Sequence, residues 1–166
     1  MNIAKLLAKI RFLPDWLLIR LYPPFLLMGV RISSVSPDYH HLEAVLPLRW
    51  WARNINGTLF GGFMCAATDP MAALMCHRIF PGAQIWTKNH SVEFLKPAKS
   101  RLLICVNIPK EQVAEIRRLL DTEGQCTQTF EFQMVDSRYR VVARVSNTLF
   151  IRRGEGRKLG VVGEPL

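Results

Sequence analysis

No run of about 20 apolar residues, the length needed to cross a bilayer as a helix, occurs in this 166-residue chain. The hydrophobic opening "MNIAKLLAKIRFLPDWLLIRLYPPFLLMGV" is interrupted by Lys5, Lys9, Arg11, Asp15 and Arg20 and broken by Pro14, Pro23 and Pro24. No small-x-small cleavage site follows, so neither a spanning helix nor a secretory leader is expected. Cysteines are few: Cys65, Cys76, Cys105 and Cys126 form no C-x-x-C pair. His40, His41, His77 and His90 show no H-x-x-x-H spacing beside a carboxylate. These gaps argue against a disulfide framework and against a metal centre, and free thiols suit a reducing, cytoplasmic setting. Internal repeats and low-complexity linkers are also missing, which leaves one domain. Acids are outnumbered, 13 against 22 Lys and Arg, for a net charge of +9. Such a surface attracts nucleic acid, acidic proteins, anionic lipid or phosphorylated cofactors. The positives are scattered over strands and ends, not gathered on an arginine-rich helix with stacking aromatics, so nucleic acid is not the expected partner.

What is present is the composition of an ordinary folded chain, 49% apolar and 21% charged, long enough to bury a core. Ile3, Leu6, Leu7 and Ile10 repeat at helical spacing, predicting an amphipathic extension over residues 1–27. Its stripe either packs on its own domain or, since Lys5 and Lys9 flank it, meets a membrane surface or a partner. "LLMGVRISSVS" and "YHHLEAVLPL" predict two strands with a turn at Ser36-Pro37-Asp38. The apolar stretch ending in "MAALMCHRIF", stopped by Pro81-Gly82, predicts a buried central helix. "AQIWTKNHSVEFLKP" and "SRLLICVNI" read as strands, and "PKEQVAEIRRLL" as a short surface helix. In the last two strands Phe130, Phe132 and Met134, then Val141, Ala143, Val145, Leu149 and Ile151, share the inward phase, with a turn at Asp136-Ser137-Arg138. The sum is an α+β domain over residues 28–152, a curled antiparallel sheet around one long apolar helix, with a loose basic tail at 153–166.

Within "NINGTLFGGFMCAATDP", and on to Cys76, everything from Leu59 is apolar or glycine except Thr68 and Asp69. A carboxylate buried in such company is costly unless it is paired or used. Three readings stand on the residues alone. Asp69 can cap a second helix that has Pro70 at its first position, the stretch kinking between the two. If instead one helix runs through, Pro70 deprives the Ala66 carbonyl of its usual donor. Asp69 can also pair with an arginine such as Arg78 or Arg144 for structure only. The third reading is chemical. Gly61-Gly62 lies where the helix begins, so free backbone N–H groups there can meet an anion or a polarised carbonyl, and glycine lets a ligand come close. Donors of this kind plus a carboxylate acting as nucleophile or base are the minimum for acyl transfer. Asp69 is eight residues beyond Gly61, about 12 Å along a helix, too far for both to serve one carbonyl. The two must then come from antiparallel helices of different subunits, so a homodimer or homotetramer with composite sites is expected.

"N-I-N-G-T-L-F-G-G-x6-D" resembles the active-site helix of hotdog-fold acyl-CoA thioesterases, and in particular the phenylacetate-type clade. That clade carries N-x-x-G-T-L-H-G-G with an Asp seven residues past the second glycine. "TKNHSVEFLKPAK" resembles its next strand, with a hydroxyl residue ten positions before the proline. The likeness covers roughly Met28 to Arg152 and implies a hotdog fold. It further implies that Asp69 attacks the thioester or activates water, and that the Gly61 N–H polarises the carbonyl. Asn54 and Thr87 would help place water or substrate, and Phe60, Gly62 and Thr58 would contact substrate. On the residues alone, Asn54 reads equally as a loop cap before Gly57, and Thr87 as an ordinary strand residue. Phe60 stands where the clade often has histidine; it cannot hydrogen-bond a thioester and can only wall the pocket.

The resemblance implies hydrolysis of acyl-CoA, with acyl carrier protein as a second carrier and no metal or redox cofactor. Arg138, Arg140, Arg144, Arg152 and Arg153 are available as anchors for phosphates or acidic partners, and equally as a solvated strand face. Trp50, Trp51, Phe63 and Met64 read either as an acyl tunnel or as plain core. A non-catalytic acyl-CoA or acyl-chain binding protein of the same fold is the alternative, motivated by Phe60.

Overall fold

The computed structural model describes residues 22–154. The expectations for the amphipathic stretch before Tyr22 and for the tail beyond Gly154 fall outside them. The first described element corrects the sequence reading. Pro23–Met28 forms a short helix, α1, where the sequence predicts a break at the proline pair and strand in the leucines that follow. Proline lacks only an N–H that the first helical turn leaves unpaired anyway. Gly29, at φ 73°, then ends the helix in the left-handed conformation that a side chain would disfavour.

β1 (Arg31–Val35) and β2 (His41–Leu46) follow, joined by the expected turn, in which the Ser36 hydroxyl donates to Asp38 Oδ1 at 2.6 Å. After a short 3₁₀ turn at Trp50–Ala52 comes α2, Gly61–Ile79, one continuous helix with Pro70 inside it. Asp69 is therefore not the cap of a second helix. Ala67, Met71, Ala72, Met75 and Cys76 are buried within α2, as the nearly all-round apolar sequence requires. The remaining elements are β3 (Gln84–Phe94), β4 (Leu102–Asn107), α3 (Lys110–Thr122), β5 (Gln125–Val135) and β6 (Val141–Arg152). Six antiparallel strands order as β1-β2-β4-β5-β6-β3, and α2 lies against β2, β3, β4 and β6. This is the sheet curled around a single helix that defines the hotdog fold. No helix among the described residues is long and apolar enough to cross a membrane.

Two details of register govern the site. The alternation along β6 puts Val145, Asn147, Leu149 and Ile151 on the buried face, so a fully buried asparagine shares the phase of three hydrophobic residues. In β3 the register shifts between Thr87 and Asn89, a bulge at Lys88. Ile85 and Thr87 face the helix before it and His90 and Val92 after it, because one extra residue reverses the parity of every side chain that follows.

Among the described residues, the acidic side chain classed as buried is Asp136, not Asp69. Its carboxylate organises the β5–β6 turn. The Arg140 guanidinium donates to Oδ2 at 2.9 Å, and the Arg140 and Arg138 amides donate to Oδ1 at 3.0 and 2.8 Å. The Arg140 contact leads in holding its pKa down from 3.8 to about 2. A native pKa below the unfolded one means stability that is present above the ordinary carboxylate range and lost as pH falls through about 2. Asp136→Asn should lower the melting temperature at pH 7, and the gap from wild type should close as the pH of the melts is taken towards 2. A gap that stays constant over that range would show that the turn does not depend on the charge.

Candidate functional site

The Asn54–Gly57 turn is built by Asn54 itself. Its Oδ1 accepts the amides of Asn56 at 3.0 Å and Thr58 at 3.2 Å, and its Nδ2 donates to Thr58 Oγ1 at 2.9 Å. Gly57, at φ 73°, closes the turn with its N–H on the Asn54 carbonyl. Asn54 thus has the loop-capping part that its position allowed, and its side chain also lines the cleft that follows. That cleft, about 680 Å³, is open to solvent and bounded by Asn54, Thr58, Gly61, Met64, Phe94 and Lys96 among others.

The start of α2 forms one wall of the cleft. The Leu59 amide is tied to the Ala98 carbonyl at 2.9 Å and the Phe60 amide to the Ala52 carbonyl at 2.8 Å, which fixes where the helix begins. The amides of Gly61 and Gly62 find no backbone partner among the described residues, as the geometry of a first turn dictates. A Cβ on Gly61 would press on Phe94, and one on Gly62 would collide with the Phe60 ring. Phe60 itself is half-exposed, packs edge-on against Phe63 and is not among the residues lining this cleft. Trp50 and Trp51 are likewise exposed and do not line this cleft, while Met64 is buried beside it.

Asp69 is not in the cleft. The helix is continuous, so its eight-residue distance from Gly61 is about 12 Å of rise. In the single chain Asp69 is only partly covered. No ion pair reaches it among the described residues; Arg144, one suggested partner, pairs with Glu93 at 3.6 Å. The purely structural reading with Arg144 is thereby removed. Thr87 stands on the inward face of β3 opposite Leu149, outside the cleft. Of the residues named from sequence, the structure gathers Asn54, Thr58 and Gly61, and leaves Asp69 and Thr87 apart from them.

What the sequence reading passed over lies beside Asp69. Asn147 Nδ2 donates to the Asp69 carbonyl at 2.6 Å and contacts His90 Nδ1 at 3.2 Å. His90 Nε2 lies 3.2 Å from Thr68 Oγ1. Burial pushes the His90 pKa down, and the Asp69 carboxylate opposes that shift. Asn147 carried a signal, a polar residue in an inward phase; His90 carried none, because alternation continued from Thr87 points it outward.

The other nucleophile candidates are weak. Burial raises all four thiols above their ordinary pKa, which keeps them protonated. Among the described residues no three His, Cys, Asp or Glu side chains cluster as a metal would need. The arginines considered as anchors are mostly engaged locally: Arg140 with Asp136, Arg144 with Glu93, Arg152 with Gln84 and Arg153 with Asp121. Lys96 and Lys99 are the cations that border the cleft.

A family profile described as "Domain of unknown function (DUF4442)" matches residues 12–151. Among solved structures, the chain is similar to a Pseudomonas aeruginosa protein of unknown function described as a probable thioesterase. The two share 18% identity and a TM-score of 0.76 over 84% of this chain and 96% of that one. A Haemophilus influenzae thioesterase is similar at 14% identity and TM-score 0.64, over 81% and 86%. The PaaI protein from the phenylacetic acid degradation operon of E. coli is similar at 15% and 0.63, over 83% and 89%. No curated protein matches in sequence. At identities this low, the likeness in structure shows the shared hotdog fold and nothing further.

Proposed function

The chain belongs to the DUF4442 family, and from that membership and its hotdog fold we propose that it is an acyl thioester hydrolase acting on acyl-CoA, or on the same acyl groups carried by acyl carrier protein. The observation that carries this reading is the pairing on one helix of glycine amides with no backbone partner, opening on a cleft, and a carboxylate with no ion pair two turns further on, both among the described residues. Amides at a helix start stabilise the oxyanion that forms when a thioester carbonyl is attacked. Asp69 supplies the attack, either directly or by taking a proton from water. Lys96 and Lys99 at the cleft rim suit the phosphates of coenzyme A.

The 12 Å separation makes the site composite. Of the two sheet edges among the described residues, both carrying a register shift, β1 is short at five residues whereas β3 presents eleven. A long unpaired edge is a ready template for a second chain. Two β3 edges that meet antiparallel are related by a two-fold axis, and the same axis sets the α2 helices, each packed against its own β3, head to tail. Asp69 of one helix is then brought towards Gly61 of the other.

A panel of acyl-CoA substrates assayed by free-thiol release tests the activity. Release above the buffer rate for at least one chain length is expected. Tight acyl-CoA binding with no release for any member would favour the alternative, a binding protein of this fold, for which Phe60 in place of a polar residue before Gly61 is the motive.

A further inference from the structure

The polar cluster beneath Asp69 has a single consistent pattern of protons. Thr68 Oγ1 is 2.8 Å from the Met64 carbonyl and 3.1 Å from that of Cys65, so its one hydrogen goes to the helix backbone. The hydroxyl must then accept from His90 Nε2 at 3.2 Å, which makes Nε2 the protonated nitrogen. Nδ1 carries the lone pair and accepts one hydrogen from Asn147 Nδ2 at 3.2 Å. The second Nδ2 hydrogen goes to the Asp69 carbonyl at 2.6 Å. Turning the amide over would press two oxygens together at that distance, so its orientation is settled by chemistry. Asn147 Oδ1 is buried and has no partner among the described atoms, so the side chain is held by its nitrogen alone.

The place of this cluster is as telling as its pattern. Pro70 has no N–H to offer the Ala66 carbonyl, so α2 lacks one rung of its ladder next to Asp69. A helix is most easily bent where a rung is missing. Asn147, from β6, takes hold of the peptide immediately before that proline.

We propose that Asn147 and His90 are positioning residues that pin the Asp69 peptide to the sheet, and that the pin holds only while His90 is neutral. The proposal rests on the reading of Asp69 as the reacting carboxylate. A second proton on His90 would sit on Nδ1 and face the Asn147 NH₂, donor against donor, and the hold on Asp69 would be lost. The groups that act on the imidazole are the Asp69 carboxylate, the Cys65 carbonyl and the Thr68 hydroxyl on α2, and Asn147 on β6. Burial disfavours the charged form more than Asp69 and Cys65 favour it. Turnover should therefore fall as pH drops through the lowered His90 pKa.

Asn147→Leu removes both donations without leaving a hole, and a nucleophile loosened by about 1 Å loses about 10- to 100-fold in kcat with KM little changed. His90→Asn places an uncharged acceptor where Nδ1 stood. It should recover most of the rate lost in His90→Leu, and the acid limb set by the imidazole should disappear from its pH profile. An unchanged kcat in Asn147→Leu, or a wild-type acid limb in His90→Asn, would overturn the proposal. Imidazole ¹⁵N NMR reads the same cluster without catalysis. Wild type should show the Nε2–H tautomer, and Asn147→Leu should shift Nδ1 and raise the pKa; a δ tautomer, or a titration indifferent to Asn147, would also overturn it. If wild type released thiol from no acyl-CoA while the NMR behaved as expected, the hydrolase reading would fall and the pin would stand.

Discussion

Asp69→Asn should reduce thioester hydrolysis by about 10²- to 10⁴-fold, the range that a positioned acid or base contributes, while the protein stays folded and keeps its oligomeric state. The physical case begins with what Asp69 lacks. It caps no helix, pairs with no cation among the described residues, and is only partly covered in the single chain. Its carbonyl is engaged by Asn147, yet no hydrogen bond to its carboxylate is found among the described residues. An amide at this position has nearly the same volume and removes only the charge and the basicity, so folding should be indifferent to it. Free-thiol release measured beside size-exclusion mass and a thermal melt separates the outcomes. Turnover surviving in Asp69→Asn for every hydrolysed acyl-CoA would remove Asp69 from the chemistry. Lost turnover with a lowered melting temperature would assign it to structure.

Mixing two inactive variants should restore activity. Asp69→Asn spoils the carboxylate. Gly61→Val crowds Phe94 and fills the cleft above the amide donors. If each site takes its amides from one subunit and its carboxylate from the other, a mixed dimer carries one site with both parts intact. Random exchange places half of the chains in mixed dimers with one good site in two, so about one quarter of wild-type turnover should return. A site contained in one chain would return nothing, since every chain in the mixture is damaged. The same result bears on β3, the edge proposed to bring the two helices together: recovered turnover with no stable dimer by sedimentation would require a different meeting surface.

How much of this was legible beforehand differs from element to element. Periodicity located α2, the inward faces of β5 and β6 and the turn at Asp136, because hydrophobic phase is a local property and these faces are buried against one core. The spacing of Asn54, Gly61 and Asp69 was legible for the same reason: on a continuous helix, distance in sequence is distance in space. α1 was misread because a proline pair reads as a break until the chain is seen to start a helix there. Asp136 was taken only as a turn residue, although its buried carboxylate is what organises that turn. His90 was hidden by the bulge at Lys88, which changes the phase of β3 and which no local pattern announces.

The amino-acid order by itself determined a central apolar helix, the strands that curl around it, and the separation of a carboxylate from a pair of glycine amides, since each follows from the local periodicity of the backbone. Only the folded chain decided that Asn147 and His90 meet beneath Asp69, that Arg144 is spent on Glu93, and which of the described strands lie at the sheet edges. Those are contacts between segments 20 to 80 residues apart, and their geometry depends on a one-residue shift in strand register to which the hydrophobic pattern is blind.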